Sequence, residues 1–335
     1  MSKGFALTRR QLMAGTAAVA ATASFSKAQA QASGLIGPDL TGKSVLITGS
    51  SSGFGRLGAE HYARLGAKVF ATMRNLPRPE ADELRELAER ENLDIHVLEI
   101  DVLSDDLVER GVNEALVLAD GKIDVLINNA GIGITGPIEA QDMIATKLAF
   151  DTNVFGAQRM VRAVLPSMRA AGSGQIFAIS SQLGRLIVPS AGHYSATKFA
   201  LEALTEQLAY ELVPHNIDVT IIQPGGYPTK VWVNRNRYTR NLRERLTDEL
   251  KAGYPQLVAA MGEEDGSSRR TDSMDIPRAI AEIMVMPAGK RPLRKAVHPT
   301  FRPQEAVNAA CDKAQLAFLG NSGYGPWVKA AHNKI

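Results

Sequence analysis

A tyrosine and a lysine stand four residues apart at Tyr194 and Lys198, and Ser181 precedes the tyrosine by thirteen positions. Residues four apart lie on one face of a helix, so the phenol and the ammonium group would be neighbours. A phenol ordinarily loses its proton near pH ~10, and an adjacent positive charge favours the phenolate. The spacing therefore predicts that Tyr194 acts as an acid or base near neutral pH. Two solvated or half-buried helix residues without a chemical role are the alternative.

A glycine-rich turn follows the first apolar segment. Residues 44–47 predict a buried strand, a helical pattern covers residues 56–65, and a Thr-Gly-x-x-x-Gly-x-Gly sequence lies between them. Glycines let backbone N–H groups approach a pyrophosphate, and the N-terminus of the following helix offers partial positive charge. The turn therefore predicts a dinucleotide site, with a plain Ser/Gly turn as the alternative. Its predicted cofactor-binding residues are Gly49, Ser51, Ser52, Gly53, Phe54 and Gly55.

Arg74 follows the second predicted strand, at the position where a ribose-contacting residue is expected about 20 residues past the turn. A carboxylate at this position would bind the 2′-hydroxyl of NAD, but the chain has Met73 and then Arg74. A guanidinium group can pair a 2′-phosphate in bidentate fashion. The sequence therefore favours NADP(H) over NAD(H), with a solvated surface arginine as the alternative.

Short apolar segments alternate with helical patterns over most of the chain. The predicted strands are residues 44–47, 67–73, 95–100, 123–127, 175–179, 218–222 and 293–298. The predicted helices are residues 56–65, 80–91, 105–119, 141–168, 191–213 and 276–286, together with a solvated helix over 235–250; residues 262–275 predict a polar loop. This alternation predicts an α/β fold with a single doubly wound parallel sheet of about seven strands and helices on both faces.

The motifs and their order resemble the classical short-chain dehydrogenase/reductase family over about residues 40–299. The matching motifs are Thr48-Gly49-x-x-x-Gly53-x-Gly55, Asp101-Val102, Asn128-Asn129-Ala130-Gly131, Asn153, Ser181-x-x-Gly184, Tyr194-x-x-x-Lys198 and Pro224-Gly225-x-x-x-Thr229. The resemblance implies a Rossmann-type sheet and a nicotinamide cofactor. Arg74 resembles the NADP-preferring members.

The resemblance assigns catalytic roles to four residues. Tyr194 would exchange a proton with the oxygen of a carbonyl or alcohol, and Ser181 would hydrogen-bond the same oxygen. Ser180 is the competing serine, but the Ser-x-x-Gly pattern and the spacing select Ser181. Lys198 would lower the pKa of Tyr194 and hold the nicotinamide ribose. Asn153 would hold a water that passes protons to the lysine, with an ordinary helix-surface asparagine as the alternative.

The resemblance also extends the cofactor site beyond the glycine-rich turn. Asp101 is expected to accept a hydrogen bond from the adenine amino group, and Asn129 is expected beside the adenosine ribose. A strand-end cap and a structural turn are the alternatives for these two positions. Thr229 would contact the nicotinamide carboxamide or a phosphate. The remaining residues assigned to this site are Val102, Ala130, Gly131, Tyr194, Lys198, Pro224 and Gly225.

These features predict an NADP(H)-dependent enzyme that interconverts an alcohol and a ketone or aldehyde. A nucleotide-binding sensor or scaffold without turnover is the alternative from another class, and a sugar-nucleotide epimerase ranks below it. The substrate and the direction of reaction stay open. Apolar residues near the expected cleft favour an apolar or aromatic carbonyl compound; they are Ile132, Leu183, Val188, Pro189, Tyr227 and Trp232. The resemblance also implies a homo-oligomer, either a dimer or a tetramer.

The first thirty residues differ in kind from the rest. Arg9 and Arg10 precede a short, small-residue apolar stretch that ends in Ala28-Gln29-Ala30. A basic region, an apolar region and an A-x-A site predict an export signal, and paired arginines resemble a twin-arginine signal. We therefore expect a signal peptide over 1–30, a linker over 31–40, the catalytic domain over 41–300 and a C-terminal extension over 301–335. The expected location is periplasmic or secreted, or cytoplasmic if the signal is not used.

Charge and cysteine content exclude several other classes of function. The chain has a formal charge of +3, and residues 1–30 carry four basic and no acidic residues, so their removal leaves about −1. A near-neutral mature chain does not predict nucleic-acid binding. Cys311 is the only cysteine, so no disulfide forms within the chain, and the six histidines have no paired metal-ligand spacing. The apolar part of the signal is too short for a stable membrane anchor.

Overall fold

The computed structural model of the protein describes residues 37–332. The predicted signal peptide and most of the predicted linker lie outside the described residues. The described chain contains a seven-stranded sheet. Its strands are β1 (Ser44–Ile47), β2 (Lys68–Met73), β3 (Ile95–Glu99), β4 (Val125–Asn128), β5 (Gly174–Ile179), β6 (Ile217–Pro224) and β7 (Arg294–Val297).

The strand order is β3-β2-β1-β4-β5-β6-β7, and every neighbouring pair is parallel. The chain builds one half of the sheet outward from β1 and then returns to build the other half from β4. Helices leaving β1 and β4 therefore diverge to opposite faces, which opens a crevice beyond the carboxyl ends of these two strands. The predicted doubly wound, Rossmann-type sheet is confirmed.

Helices cover both faces of the sheet. They are α1 (Gly53–Arg64), α2 (Pro79–Glu91), α3 (Asp105–Leu118), α4 (Met143–Phe150), α5 (Gly156–Ala171), α6 (His193–Leu212), α7 (Val231–Glu244), α8 (Asp248–Gly253), α9 (Pro255–Ala259), α10 (Asp275–Met284), α11 (Gln304–Leu319) and α12 (Gly325–His332). Local sequence sets several of their ends. The side chains of Ser104 and Asp142 accept backbone N–H groups in the first turns of α3 and α4, and Asn92 ends α2 in a left-handed conformation.

Successive strand residues alternate between two apolar cores. Val45 and Ile47 face α1, α2 and α10, where they join Tyr62, Leu84 and Ile280. On the other face, strand residues meet α3, α5 and α6; this second core includes Leu46, Phe70, Leu126, Val112, Met160 and Ala209. Because both faces are buried, the strands are continuous apolar runs, which is why they were legible in the sequence.

Three segments differ from the sequence-based expectation. The predicted helix over 141–168 is interrupted by a π-helical turn, Asp151–Phe155, that separates α4 from α5. The predicted helix over 235–250 divides at residues 245–247, where Thr247 caps α8, and α7 buries Asn236, Thr239 and Leu242, so it is not simply solvated. The C-terminal tail forms two helices that the sequence did not reveal.

Among residues 37–332, no helix is both long enough and apolar enough to cross a membrane. The same residues contain no group of three or more His, Cys, Asp and Glu side chains placed to hold a metal ion.

Candidate active site

One large cavity of about 900 Å³ lies beyond the carboxyl ends of the central strands. Its walls come from the loops after β1 to β6, together with α6 and α7. All of the site residues expected from the sequence line this cavity except Gly55 and Asn153, which lie directly behind its wall. The parallel sheet therefore brings together residues that are up to 180 positions apart, from Gly49 to Thr229.

The turn after β1 depends on glycine at two places. Gly49 has a φ of 72°, and a Cβ there would lie 3.0 Å from the Cα of Ala130. Gly55 lies in the first turn of α1, where a Cβ would overlap the carbonyl oxygen of Gly49 and lie 2.6 Å from Nδ2 of Asn129. The missing side chains let α1 begin against the turn with its N-terminus at the cavity. This is the arrangement that accepts a pyrophosphate, so the turn fits a dinucleotide.

Asn129 holds the turn in place. Its side-chain amide donates hydrogen bonds to the carbonyl oxygens of Thr48 at 2.8 Å and Gly49 at 3.2 Å. The backbone N–H groups of Asn129 and Ala130 donate to Oγ1 of Thr48 at 3.0 and 2.9 Å. The Asn-Asn-Ala-Gly segment thus clamps the loop after β4 to the loop after β1. The structural reading of Asn129 is supported, and its contact with a ribose stays a prediction.

Arg74 lies at the end of β2, half-buried in the cavity wall. Its Nη2 donates a hydrogen bond to the hydroxyl of Tyr238, which comes from α7, at 2.9 Å. This bond is the main reason that the pKa of Arg74 is raised, with a smaller contribution from Asp101. Asp101 accepts the backbone N–H of Leu103 at 3.0 Å, which is the strand-end cap expected as the alternative. The side chain of Arg78 also lines this end of the cavity.

Tyr194 lies near the start of α6, and its partly buried phenol lies beside the side chain of Ser181 from the loop after β5. Burial raises the pKa of Tyr194, while the polar side chain of Ser181 and the positive charge of Arg235 oppose that rise. The predicted lowering of this pKa by Lys198 is not found. The charge that acts on the phenol comes from Arg235, a residue that the sequence reasoning did not assign to the site.

Lys198 is buried one turn after Tyr194. Its Nζ donates to the carbonyl oxygen of Ile179 at 2.8 Å and lies 5.7 Å from the centroid of the Tyr194 ring. Burial lowers the pKa of Lys198 to about 8, and the carboxylate of Glu202 opposes this shift. The lysine therefore titrates close to neutral pH, which is a property of groups that take part in proton transfer.

The two adjacent serines have different surroundings. Ser181 lies beside Tyr194, and its Oγ accepts the backbone N–H of Leu183 at 3.1 Å. The Oγ of Ser180 is buried without a hydrogen-bond partner in the described chain, and it lies 2.6 Å from the position of a Cβ on Gly184. The geometry therefore favours Ser181 over Ser180 as the serine of the reacting centre.

Asn153 lies inside the π-helical turn, behind the cavity wall. Its Oδ1 accepts the backbone N–H of Ile132 at 2.8 Å, and its Nδ2 donates to the carbonyl oxygen of Ile132 at 2.8 Å and to Oγ1 of Thr197 at 3.0 Å. The Thr197 hydroxyl in turn donates to the carbonyl oxygen of Tyr194 at 2.8 Å. Asn153 thus ties the loop after β4 to the helix that carries Tyr194. π-Helical turns often occur at functional sites for this reason.

The far wall of the cavity is formed by the chain after β6. Pro224, Gly225 and Thr229 line it as expected, and the Thr229 side chain faces the glycine-rich turn, 3.4 Å from a Cβ placed on Gly53. The sequence reasoning missed three polar side chains of this wall: Arg235, Tyr238 and Arg269. The arginine-rich composition of residues 235–250 was the one available signal.

Comparison with known proteins gives matches over most of the chain. A family model described as short chain dehydrogenase matches residues 43–239. Retinol dehydrogenase 8 from Bos taurus is 33% identical over 276 residues, which cover 80% of this chain and 85% of the relative. The 3-ketodihydrosphingosine reductase from Bacteroides thetaiotaomicron is 40% identical over 192 residues, which cover 57% of this chain and 66% of the relative, slightly less than two thirds of its length.

The fold also matches solved structures. A short-chain dehydrogenase from Streptomyces avermitilis aligns with a TM-score of 0.63 at 29% identity, covering 85% of this chain and 98% of that chain. Other structural neighbours were solved in complex with NAD or NADP.

Proposed function

Because the chain belongs to the short-chain dehydrogenase family, we propose that it is an NADP(H)-dependent oxidoreductase that interconverts an alcohol and a ketone or aldehyde. One observation carries this proposal: the phenol of Tyr194 and the side chain of Ser181 lie together in the cavity that the glycine-rich turn and Lys198 also line. A proton donor, a hydrogen-bond donor and a dinucleotide cradle therefore share one cavity. The names of the two relatives, a retinol dehydrogenase and a keto-group reductase, are consistent with this chemistry.

The cavity has the features that a dinucleotide requires. The glycine-rich turn and the N-terminus of α1 would hold the pyrophosphate, and Arg74 with Arg78 would lie near a 2′-phosphate. Lys198 would hold the nicotinamide ribose. When bound, the nicotinamide supplies or accepts the hydride.

The residues of the chain would manage the proton. In reduction, Tyr194 gives its hydroxyl proton to the carbonyl oxygen as negative charge develops there; in oxidation, it takes the proton from the alcohol. Ser181 fixes the position of that oxygen by a hydrogen bond. The guanidinium of Arg235 stabilises negative charge on the phenol, and burial strengthens such an interaction. Asn153 keeps the helix that carries Tyr194 in register with the cofactor loop.

The experiment that tests this function is NADPH oxidation over a panel of ketones and aldehydes. Tyr194→Phe is expected to lower kcat by about 10²–10⁴-fold, the usual contribution of a general acid, and to leave NADPH affinity within a few-fold. Tyr254→Phe is a matched control, because Tyr254 is a partly buried tyrosine that lies outside the cavity. A wild-type protein that binds NADPH but turns over no member of the panel would instead support the sensor or scaffold reading.

We propose that residues 1–30 direct export of the folded protein with its cofactor bound. The support is the sequence alone: paired arginines, a short apolar stretch and an A-x-A site. A protein loaded before export needs slow cofactor release, so we expect dialysis to remove NADP(H) slowly. Cell fractionation is expected to find the wild type outside the cytoplasm and the Arg9→Lys/Arg10→Lys variant inside; an uncleaved wild type in the cytoplasm would contradict this.

We also propose that the protein is a homo-oligomer. The π-helical turn beside α5 and the helix α6 expose Phe155 at 48% and Phe199 at 38%, and large exposed apolar side chains on long helices are typical of subunit contacts. Light scattering coupled to size-exclusion chromatography is expected to give a dimer or tetramer; a monomer at micromolar concentration would overturn this proposal.

A further inference from the structure

Two arginine side chains line the cavity on the same side as Tyr194 and lie together on one aromatic ring. Arg235 belongs to α7, and Arg269 follows α9 in the chain. Their guanidinium groups lie 4.4 and 4.2 Å from the centroid of the Trp232 ring. The indole Nε1 donates to the carbonyl oxygen of Tyr227 at 2.7 Å, which fixes the ring in place. Stacking on an aromatic face holds both cations in a defined position.

The negative charge at this cluster is smaller than the positive charge. The Oε2 of Glu264 lies 3.5 Å from Nη1 of Arg235, and its Oε1 lies 2.6 Å from Nη2 of Arg269. One carboxylate is therefore shared by two guanidinium groups, neither of which can lose its proton at ordinary pH. Among the groups that face Arg235, Arg269 is a second cation and Tyr194 is neutral when protonated. The cluster carries a net charge of about +1.

Both guanidinium groups keep unused hydrogen-bond donors. Nη2 of Arg235 donates to the carbonyl oxygen of Glu264 at 2.7 Å, whereas its Nη1 makes a single long contact, the one at 3.5 Å. In the described chain, the Nε of Arg269 is buried without a partner. The side chain of Arg235 is only 14% exposed. A largely buried cation with unfilled donors is costly to maintain unless a ligand anion fills them.

The cluster lies beside the reacting centre. The Cγ of Arg235 is 3.0 Å from the position of a Cβ on Gly133, two residues after the Asn-Asn-Ala-Gly segment. The positive charge of Arg235 lowers the pKa of Tyr194, which places the guanidinium group within electrostatic reach of the phenol. The predicted site for the cofactor 2′-phosphate lies elsewhere in the cavity, at Arg74 after β2. The cations at Arg235 and Arg269 therefore face the part of the cavity left for a substrate.

We propose that Arg235 and Arg269 bind an anionic group of the substrate, so that the enzyme acts on an oxo acid or hydroxy acid with an apolar body. This inference rests on the proposed function, because it places the substrate carbonyl at Tyr194 and Ser181. The apolar side chains of Ile132, Leu183 and Trp232 would contact the hydrocarbon part. The expected preference for an apolar carbonyl compound is thereby narrowed to one that also carries a carboxylate.

The test compares oxo acids with their methyl esters, which keep the carbon skeleton and remove the charge. The probes are six-carbon oxo acids in which the ketone lies one, two or three bonds from the carboxyl carbon. For at least one pair, wild-type kcat/KM is expected to favour the acid by about 10-fold or more, the effect of a charge-assisted hydrogen bond. Because Arg235 also lowers the pKa of Tyr194, Arg235→Gln is expected to lower kcat/KM for both probes, but by about 10-fold more for the acid than for its ester.

Three controls separate this inference from its alternatives. Arg240→Gln removes the same charge from an exposed position of α7 outside the cavity. It is expected to leave kcat/KM unchanged for both the acid and the ester. NADPH affinity is expected to be unchanged in Arg235→Gln; an equal loss of NADPH affinity would assign the arginine to the cofactor and overturn the inference. Arg269→Gln is expected to lower kcat/KM for the acid more than for the ester as well, but by a smaller factor than Arg235→Gln.

Binding provides a readout that does not need turnover. Calorimetric titration of the acids and esters into the Tyr194→Phe protein with NADP is expected to show acid binding that Arg235→Gln abolishes. Equal affinity for acid and ester, an equal loss of both in Arg235→Gln, or no acid binding to any form would overturn the inference. Turnover of the esters alone would overturn it while leaving the proposed oxidoreductase intact.

Discussion

At the scale of single residues, the cavity sets protonation states through burial more than through close ion pairs. Lys198 is the clearest case, because its ammonium is buried, donates to a backbone carbonyl and has a pKa of about 8. A lysine that loses its charge near pH 8 limits the pH range over which that charge can support proton transfer.

The pH profile of carbonyl reduction follows from this. We expect kcat/KM to fall above about pH 8 as Lys198 becomes neutral. The carboxylate of Glu202 raises the pKa of Lys198, so Glu202→Gln is expected to move the alkaline midpoint to lower pH. Glu211→Gln, on the exposed side of α6, serves as a control. A midpoint that stays in place or rises in Glu202→Gln, in protein with an intact circular-dichroism spectrum, would contradict this effect of the Glu202 carboxylate on Lys198.

Arg74 is the residue that decides between the two nicotinamide cofactors. Arg74→Ala is expected to raise the Kd of NADPH by about 10- to 100-fold, the loss of one charge-assisted contact, and to change the Kd of NADH by less than about 3-fold. Fluorescence titration measures both dissociation constants. Arg85→Ala, at an exposed position of α2, provides a control. Tighter binding of NADH than NADPH by the wild type would refute the preference.

At the scale of elements, the first strand, its turn and α1 form the cofactor cradle through close backbone approach. Gly55→Ala tests this, because alanine favours a helix by about 0.5–1 kcal/mol but its Cβ would overlap the carbonyl oxygen of Gly49. Because the overlap involves backbone atoms, which cannot easily move, the strain of roughly 1–3 kcal/mol is expected to exceed the gain in helix propensity.

We therefore expect Gly55→Ala to lower both the thermal midpoint and NADPH affinity. Gly253→Ala is the matched control, since a Cβ there meets no atom within 4 Å. Unchanged NADPH affinity in Gly55→Ala would show that the turn tolerates a side chain and that the cradle is wrongly assigned.

The elements also show what the sequence could and could not reveal. Tyr194 and Lys198 were placed together because four residues make one helical turn, and Ser181 joins them because β5 is a continuous apolar run that ends two residues before it. The π-helical turn around Asn153 has no local sequence marker, since it adds one residue to an otherwise regular helix. Arg235 reaches Tyr194, and Arg269 reaches the ring of Trp232, only through long-range closure of the chain after β6, and no spacing rule predicts such contacts.

The C-terminal helices were missed for a related reason. Most of α11 is exposed and has no clear apolar stripe, so its pattern does not separate it from a loop. Its attachment includes hydrogen bonds from Gln304 and Asn308 to Gln223 and an ion pair between Asp312 and Arg294, and such polar contacts between distant segments leave no periodic signal.

At the scale of the whole molecule, a buried ion network attaches these helices to the sheet and to α6. Arg294 of β7 pairs with Glu202 at 2.9 Å and with Glu206, and His332 of α12 lies 3.1 Å from Asp312 and 2.5 Å from the hydroxyl of Tyr210. Glu202 also faces Lys198, so the network that anchors the C-terminal helices continues to the reacting centre.

His332 makes this attachment dependent on pH. Its pKa is raised from 6.5 to about 9: burial lowers the pKa, but the hydrogen bonds and charges of Asp312 and Glu206 outweigh that effect. Because the folded-state pKa lies above the unfolded value, the stabilisation is fully present below about pH 6.5 and is lost as the pH rises toward 9.

The matching experiment measures the free energy of unfolding by urea at pH 6 and pH 9.5. His332→Gln is expected to cost roughly 2 kcal/mol at pH 6 and much less at pH 9.5, whereas the exposed control His215→Gln is expected to be neutral at both. An equal loss of unfolding free energy at the two pH values in His332→Gln would show that His332 stabilises the fold by packing alone.

The proposed oxidoreductase reaction consists of hydride transfer to a carbonyl whose oxygen receives its proton from Tyr194. The most direct measurement uses NADPH carrying deuterium at the reactive carbon, prepared with the label on either face, and mass spectrometry of the alcohol formed from the best ketone. We predict one deuterium on the carbinol carbon from one labelled face with the wild type, and none above background with Tyr194→Phe. Alcohol without deuterium from both labelled forms, or full labelling by Tyr194→Phe at the wild-type rate, would contradict the account.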